Sequence, residues 1–134
     1  MKYLLDTDTC IYIMKSQPAS VRAMFETLSP DDVGISTITL SELWYGVEHS
    51  RRRRENEPLL RLFVSQLMLA QYDGLAAEQY GIIRTHLRKK GTMIGNSDVF
   101  IAAHAKALDV ILVTNNEREF RRVPGLSVQN WLKS

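Results

Sequence analysis

The chain has 134 residues, of which 45% are hydrophobic and 24% charged, and this composition excludes disorder and low complexity. A formal net charge of +2 is too small to indicate a partner by itself. Because no apolar run approaches the roughly 20 residues of a membrane span, the first ten residues are too acidic for a signal peptide, and Cys10 has no partner for an internal disulfide, we expect a cytoplasmic protein without a membrane segment.

Predicted strands and helices alternate along the chain. In order, they are a strand at 2–5, helices at 7–15 and about 18–28, a turn at 29–32, a strand at 33–36, a helix ending near 50, a helix at 55–69, a strand around 68–72, helices at 75–90 and 97–108, a strand at 110–114, a helical turn at 117–121 and a strand at 126–131. Thr39 or Ser41 is expected to cap the helix that ends near 50, Ser97 to cap the helix that ends at 108, and Gly91 to close the helix before it. This alternation predicts one α/β domain over residues 1–134, a sandwich with a mostly parallel sheet.

Acidic and amide residues follow the predicted strands. Asp6 ends the run KYLLD, Glu42 follows VGISTITL by one residue, and Asp98 opens the helical segment DVFIAAHAKAL. Asn115, Asn116 and Glu119 come just after VILVT. The carboxyl ends of parallel strands meet at one rim, where carboxylates repel each other unless a cation neutralises them. Magnesium binds one or two carboxylates and water, so the sequence predicts a metal-dependent site that handles phosphate.

Each of these residues also has an ordinary structural use. Asp6 could cap the helix after it, but Thr7, Asp8 or Thr9 could do so instead, and Asp8 is expected to be the cap. That leaves Asp6 available as a ligand.

The other site residues have structural uses as well. Glu42 near a helix start would be favoured by the helix dipole, Asp98 could take part in capping with Ser97, and Asn115 and Asn116 are good turn residues. These uses do not explain why all of them lie after strands or at the starts of helices.

Basic residues form two clusters, Arg51 to Arg54 and a second one of Arg84, Arg88, Lys89 and Lys90. A nuclease needs positive charge for the nucleic acid backbone as well as metal ligands at the cut. The first cluster, taken alone, is also typical of a solvated helix face.

Four segments, LLDTDTCIYIM, ITLSELWYG, IGNSDVFIAAHA and LVTNNEREFRRVPGL, resemble the PIN-domain ribonucleases, especially the toxins of VapBC toxin–antitoxin pairs. The resemblance runs from Asp6 to Trp131 and implies a five-stranded parallel sheet between helices. It also implies that Asp6, Glu42 and Asp98 hold Mg²⁺ or Mn²⁺. Asn116 falls where relatives carry a fourth acid or amide. Asp8 is a departure, since many relatives have Asn there.

The resemblance implies endonucleolytic hydrolysis of RNA by metal-activated water, with Glu42 positioning that water. Asn116 replaces a charge by an amide, which favours a single metal ion. Thr114, Asn115, Glu119 and Asp8 are expected to support the site. Further expectations are structured RNA, especially transfer RNA, as the substrate, a VapB-type antitoxin as the partner, a homodimer, and a larger complex that binds promoter DNA only through the antitoxin.

Two other interpretations compete with this one. Asp6-Thr7-Asp8 resembles the nucleophile motif of haloacid dehalogenase-type phosphatases, although Cys10 and the role of Glu42 do not suit it. The chain could also be a non-catalytic relative that only binds RNA or a partner. Apolar residues expected either in a partner groove or in the ordinary core are Trp44, Tyr45, Leu59 and Phe63.

Overall fold

A computed structural model describes residues 1–133. Its centre is a sheet of five strands, which are β1 (Tyr3–Leu5), β2 (Val33–Ser36), β3 (Met68–Ala70), β4 (Ile111–Val113) and β5 (Val128–Gln129). The strand order is β3-β2-β1-β4-β5, and every neighbouring pair is parallel. The predicted parallel sheet is therefore confirmed, with β1 in the middle, β2 and β3 on one side of it, and β4 and β5 on the other.

Seven α-helices surround the sheet within the described residues. They are α1 (Thr7–Lys15), α2 (Ala19–Glu26), α3 (Thr37–His49), α4 (Arg53–Ser65), α5 (Gly74–Lys90), α6 (Asn96–Leu108) and α7 (Glu117–Phe120). Short 3₁₀ turns lie at Pro30–Asp32 and Trp131–Lys133. None of the helices in this part of the chain combines the length and apolar character needed to cross a bilayer.

Two hydrophobic clusters lie on the two faces of the sheet. Tyr3 and Leu5 belong to a cluster with residues of α1 to α4, whereas Leu4 belongs to a cluster with residues of α5 and α6. The alternation along β1 follows from the two-residue period of a strand, whose side chains point to opposite faces. The result is the three-layer α/β/α sandwich that the family resemblance implied.

The starts of two helices differ from the prediction. Ser36, the last residue of β2, caps α3 by accepting a hydrogen bond from the Ile38 N–H at 3.0 Å, so neither Thr39 nor Ser41 is the cap. Gly95 occupies the N-cap position of α6, and the expected cap Ser97 lies inside the helix. Both helices start early because the chain turns into the helix directly after the preceding extended residues. This brings their first turns close to the edge of the sheet.

Several predicted boundaries also shift. The predicted helix at 55–69 runs instead from 53 to 65, and the predicted last strand at 126–131 keeps only Val128–Gln129. Trp131 leaves the strand and packs edge-on against Tyr3, with ring centroids 5.6 Å apart. Burial of this indole next to β1 stabilises a turn where propensity alone favours extended backbone.

Candidate active site

Asp6 follows β1 directly and is itself the N-cap of α1. Its Oδ1 accepts a hydrogen bond from the Thr9 N–H at 2.9 Å, and the residue is 7% exposed. The expectation that Asp8 caps this helix is therefore wrong. Asp8 is exposed and lines the same cavity as Asp6. Capping holds the Asp6 carboxylate rigidly through Oδ1, so capping and a role in the site are compatible for one side chain.

Glu42 lies in the second turn of α3, because that helix begins at Thr37. It is thus too far along the helix for the first-turn dipole effect that its sequence position suggested. Instead, the Thr7 hydroxyl donates a hydrogen bond to Glu42 Oε1 at 2.9 Å. This bond joins the first turn of α1 to α3 and orients the carboxylate.

Asp98 is the third residue of α6. Ala102, Ala103 and Ala105 on the same helix are fully buried, as expected from their small side chains. The close packing of these residues fixes the helix and therefore the position of Asp98.

The three acids meet at one small cavity of about 160 Å³. It is lined by Asp6, Thr7, Asp8, Glu42, Asp98 and Ile101. The structure therefore brings together the acids from three separated segments, and it adds Asp8 to them.

The carboxylates act on one another electrostatically. Burial, followed by the charges of Asp6, Glu119, Glu42 and Asp8, raises the pKa of Asp98 to about 6. Burial also raises the pKa of Asp6, although hydrogen bonds from Thr114 and the Thr9 backbone oppose this shift. Such a concentration of like charges is unfavourable unless protons or cations neutralise it.

The Asn-rich turn after β4 acts on this cavity through Glu119. Asn116 Nδ2 donates to Glu119 Oε2 at 3.0 Å, and the Asn116 N–H donates to Thr114 Oγ1 at 2.9 Å. Asn116 is not among the residues that line the cavity, and it acts through Glu119, whose charge reaches Asp98. Asn115 Nδ2 donates to the Tyr12 hydroxyl at 3.0 Å.

The role of Thr7 was not predicted. The sequence suggests this residue only as a helix cap, whereas in the structure its hydroxyl donates to Glu42 and its side chain lines the cavity. The available signal was the DTDT pattern, in which a hydroxyl directly follows the strand-end acid.

The donor set suits a hard cation that keeps part of its water. Within residues 1–133, no three His, Cys, Asp or Glu side chains are placed to hold one metal ion together. Magnesium ordinarily uses one or two carboxylates and completes its shell with water, and the cavity offers only oxygen ligands of this kind. The residues present therefore fit Mg²⁺ or Mn²⁺ better than zinc, which needs nitrogen or sulfur donors in a closed site.

The two basic clusters differ in their ion pairs. Arg53 binds Glu48 at 2.6 Å and Glu57 at 3.2 Å, and Arg52 lies 3.9 Å from Glu55. Arg84, Arg88, Lys89 and Lys90 are all exposed, and none of them forms an ion pair with the described part of the chain. The positive charge of the second cluster is therefore more available to a nucleic acid than that of the first.

A larger groove of about 290 Å³ lies between α1, α3 and α4. Its walls include Ile11, Met14, Gly46 and Leu59, and Glu42 lines both this groove and the acidic cavity. An occupant of the groove would therefore end beside the carboxylates.

The four apolar residues considered for a partner groove lie in different environments. Leu59 is 51% exposed and lines the groove, whereas Phe63 is buried in the core. Trp44 is half-buried beneath the Arg61 guanidinium, and Tyr45 is 70% exposed. Ordinary core packing thus accounts for Phe63 but not for Leu59.

Comparisons with known proteins agree with this geometry. The pattern of the PIN domain family matches residues 3–126. The chain belongs to the PIN domain family. This PIN domain is also 43% identical to the tRNA(fMet)-specific endonuclease VapC of Shigella flexneri over 131 residues, which cover 98% of each chain.

Two solved complexes contain a chain of the same shape. One is DNA-bound VapBC from Salmonella typhimurium, with a TM-score of 0.92 and 41% identity over 98% of each chain. The other is VapBC2 from Rickettsia felis bound to a DNA fragment from its promoter, with a TM-score of 0.90 and 38% identity over 98% of this chain and 99% of that one. These similarities place the PIN domain in the VapC branch of the family.

Family membership disfavours the phosphatase interpretation. In that interpretation Glu42 has no role, yet the structure places Glu42 in the cavity with Asp6 and Asp98.

Proposed function

We propose that this PIN domain is the toxin of a type II toxin–antitoxin pair, a metal-dependent endoribonuclease of the VapC kind. The observation that carries the proposal is the cavity in which Asp6, Asp8, Glu42 and Asp98 face one another, with the pKa of Asp98 raised to about 6. A binding module without catalysis has no need for acids that destabilise each other in this way.

Each side chain has a distinct task in the proposed reaction. Asp6, fixed by the Thr9 N–H, and Asp98, fixed by the packing of α6, hold the cation. Glu42, oriented by the Thr7 hydroxyl, positions the water that attacks the phosphorus in line with the leaving oxygen. Asn116 orients Glu119 at the edge of the site. When bound, Mg²⁺ or Mn²⁺ lowers the pKa of water and stabilises charge on the phosphate.

We propose structured RNA, and transfer RNA in particular, as the substrate. The Shigella relative is named for one transfer RNA, and the exposed basic end of α5 can bind phosphates. Sequencing of RNA 5′ ends after brief expression of the chain tests this proposal. We expect new ends concentrated at one site in one or a few transfer RNAs, and none after expression of Asp98→Asn. Ends spread evenly over messenger RNA would contradict the choice of substrate.

We further propose that a VapB-type antitoxin inhibits the toxin by placing an apolar segment in the groove between α1, α3 and α4. The groove reaches Glu42, so a basic residue of that segment can pair with the carboxylates. The protein is proposed to form a homodimer and, with antitoxin, a larger complex that binds promoter DNA through the antitoxin.

Gly46→Leu is expected to weaken antitoxin binding. A Cβ at Gly46 meets no atom within 4 Å, so a larger side chain there fills the groove without displacing the fold. Replacing a mid-helix Gly also favours the helix by roughly 0.5–1 kcal/mol. We expect at least about a tenfold rise in the antitoxin Kd, measured by calorimetry, with RNA cleavage unchanged.

Gly81→Leu is the matched control. Gly81 lies inside α5, its Cβ position is equally open, and it does not line the groove. If Gly46→Leu and Gly81→Leu bind antitoxin equally well, the proposed groove is not the antitoxin site.

A further inference from the structure

Three side chains of α5 and α6 form an ordered chain of hydrogen bonds at the surface. Arg84 Nη1 donates to the Tyr80 hydroxyl at 2.8 Å, and that hydroxyl donates to Asn96 Oδ1 at 2.8 Å. The phenol thus uses its proton on one side and a lone pair on the other. These two hydrogen bonds connect Arg84, through Tyr80, to Asn96, which is the first residue of the helix that carries Asp98.

Aromatic packing holds Tyr80 in place. Its ring stacks on Phe100 with centroids 4.4 Å apart and an angle of 22° between the ring planes. Phe100 is supported in turn by the edge of Tyr72, at 5.5 Å. The Arg84 guanidinium carbon lies 5.8 Å from the Tyr80 ring centroid. A flexible exposed arginine is therefore held by a hydrogen bond and a cation–π contact on a tyrosine that cannot move freely.

The pairing of α5 with α6 places Arg84 near the first turn of α6, the turn that carries Asp98. Tyr72, just before α5, contacts His104 and Phe100, whereas Tyr80 within α5 contacts Phe100 and Asn96, so residue numbers rise toward and along α5 as they fall along α6. The helices are therefore antiparallel, and the part of α5 after Tyr80 extends past the start of α6. Asp98 lies in that first turn of α6. Arg84 and, one turn later, Arg88 thus lie on the part of α5 that continues beyond the start of α6.

The charge of Arg84 has no partner among the described residues. Arg22, Arg53 and Arg121 each bind a carboxylate, whereas Arg84 forms no ion pair with residues 1–133. The helix dipole explains a basic last turn at Arg88, Lys89 and Lys90, but Arg84 precedes that turn. In the described part of the chain, its Nε and Nη2 also make no hydrogen bond. These two groups form the edge with which a guanidinium binds a phosphate at two points.

We propose that Arg84, held by Tyr80 and Asn96, binds a phosphate of the RNA strand that flanks the cleaved bond. The inference rests on the proposed ribonuclease function and names the part of the surface that positions the substrate. Because a phosphate contact carries no base information, Arg84 strengthens binding without choosing the sequence. Arg84 is thus a positioning residue, and the cleavage chemistry stays with the acids.

The test measures RNA binding in the Asp98→Asn background, so that the probe stays intact. Bulk transfer RNA is titrated at several KCl concentrations. We expect Arg84→Ala to raise Kd about tenfold. We also expect the slope of log K against log salt to fall by about 0.7–0.9, the change for one lost phosphate contact. Tyr80→Phe keeps the charge of Arg84 but removes the hydroxyl that holds the Arg84 side chain. We therefore expect Kd to rise while the salt slope stays close to that of the parent.

Arg22→Ala is the control, since it removes an arginine of α2 whose side chain is 30% exposed and is paired with Glu26. It should leave both Kd and the slope unchanged. In the active protein, with Asp98 intact, Arg84→Ala should raise KM and leave kcat nearly constant. A general loss of structure does not raise KM alone.

Two results overturn the proposal. One is an Arg84→Ala variant whose Kd and salt slope match those of Arg22→Ala. The other is a Tyr80→Phe variant that binds RNA as tightly as the parent, which removes the role of Tyr80 in holding Arg84. A chain that neither binds nor cleaves RNA, with its acids intact, refutes the ribonuclease function itself, and this result is distinguishable from the other two.

Discussion

Asp98→Asn should reduce RNA cleavage by more than about 100-fold, because loss of an outer partner of a metal ligand alone costs 10- to 100-fold. The substitution keeps the size of the side chain and removes one charge from the acidic cavity. Ala102, Ala103 and Ala105 stay packed, so α6 should keep its position. Single-turnover cleavage of a defined RNA, with circular dichroism as the check on folding, measures the effect.

The same variant should be at least as stable as the parent at neutral pH without metal. The folded pKa of Asp98 is about 6, above its ordinary value of 3.8, so the folded state binds the proton more tightly. The contribution of Asp98 to the free energy of unfolding is fully present below about pH 4, declines as pH rises toward 6, and is lost above pH 6. Because Asp98 is partly exposed, we expect Asp98→Asn to raise the free energy of unfolding at pH 7 by only on the order of 1 kcal/mol. Urea unfolding in buffers of about pH 4, 5, 6 and 7 tests whether the free energy of unfolding of the parent falls, relative to that of Asp98→Asn, as pH rises.

Asp109→Asn is the control for this experiment. Asp109 ends the same helix as its C-cap with a φ of 54°, a conformation that Asn also tolerates. Cleavage and the pH dependence of stability should match those of the parent. An Asp98→Asn protein that cleaves at the parental rate would contradict the proposed site.

Removal of divalent metal should abolish cleavage completely. Excess EDTA leaves the four cavity acids with only protons to offset their repulsion, and addition of Mg²⁺ or Mn²⁺ should restore activity. Metal that binds only the folded chain should also stabilise it, by about 2.7 kcal/mol at a concentration 100 times the Kd. Thermal unfolding with and without metal measures this shift.

Asp98→Asn should show a much smaller thermal shift with metal than the parent. Full cleavage in excess EDTA would refute a metal-dependent mechanism. Trapping of an aspartyl phosphate on Asp6 would instead favour the phosphatase chemistry, since the proposed hydrolysis has no covalent intermediate.

The sequence by itself determined the architecture and the acids. The strands β1, β2 and β4 are short apolar runs bounded by polar residues, and the long intervening helices force parallel pairing. Once the strands are parallel, Asp6 after β1 lies at the rim toward which the segments that carry Glu42 and Asp98 also lead. The RNA substrate and the antitoxin came from the family resemblance, because no local pattern specifies them, whereas the positions of the acids already predicted a metal-dependent site.

Only the tertiary structure decided which polar side chains meet. The bond between Thr7 and Glu42 joins residues 35 apart in the chain, and Arg84 reaches the active-site helix only because α5 packs antiparallel on α6. Likewise, Asp6 serves as a helix cap and a site residue at once, and Asn116 acts on the site through Glu119. Local sequence limits what each side chain can donate or accept. The distance and angle to a partner depend on how helices pack against the sheet, and hydrogen bonds are strong only when both are right.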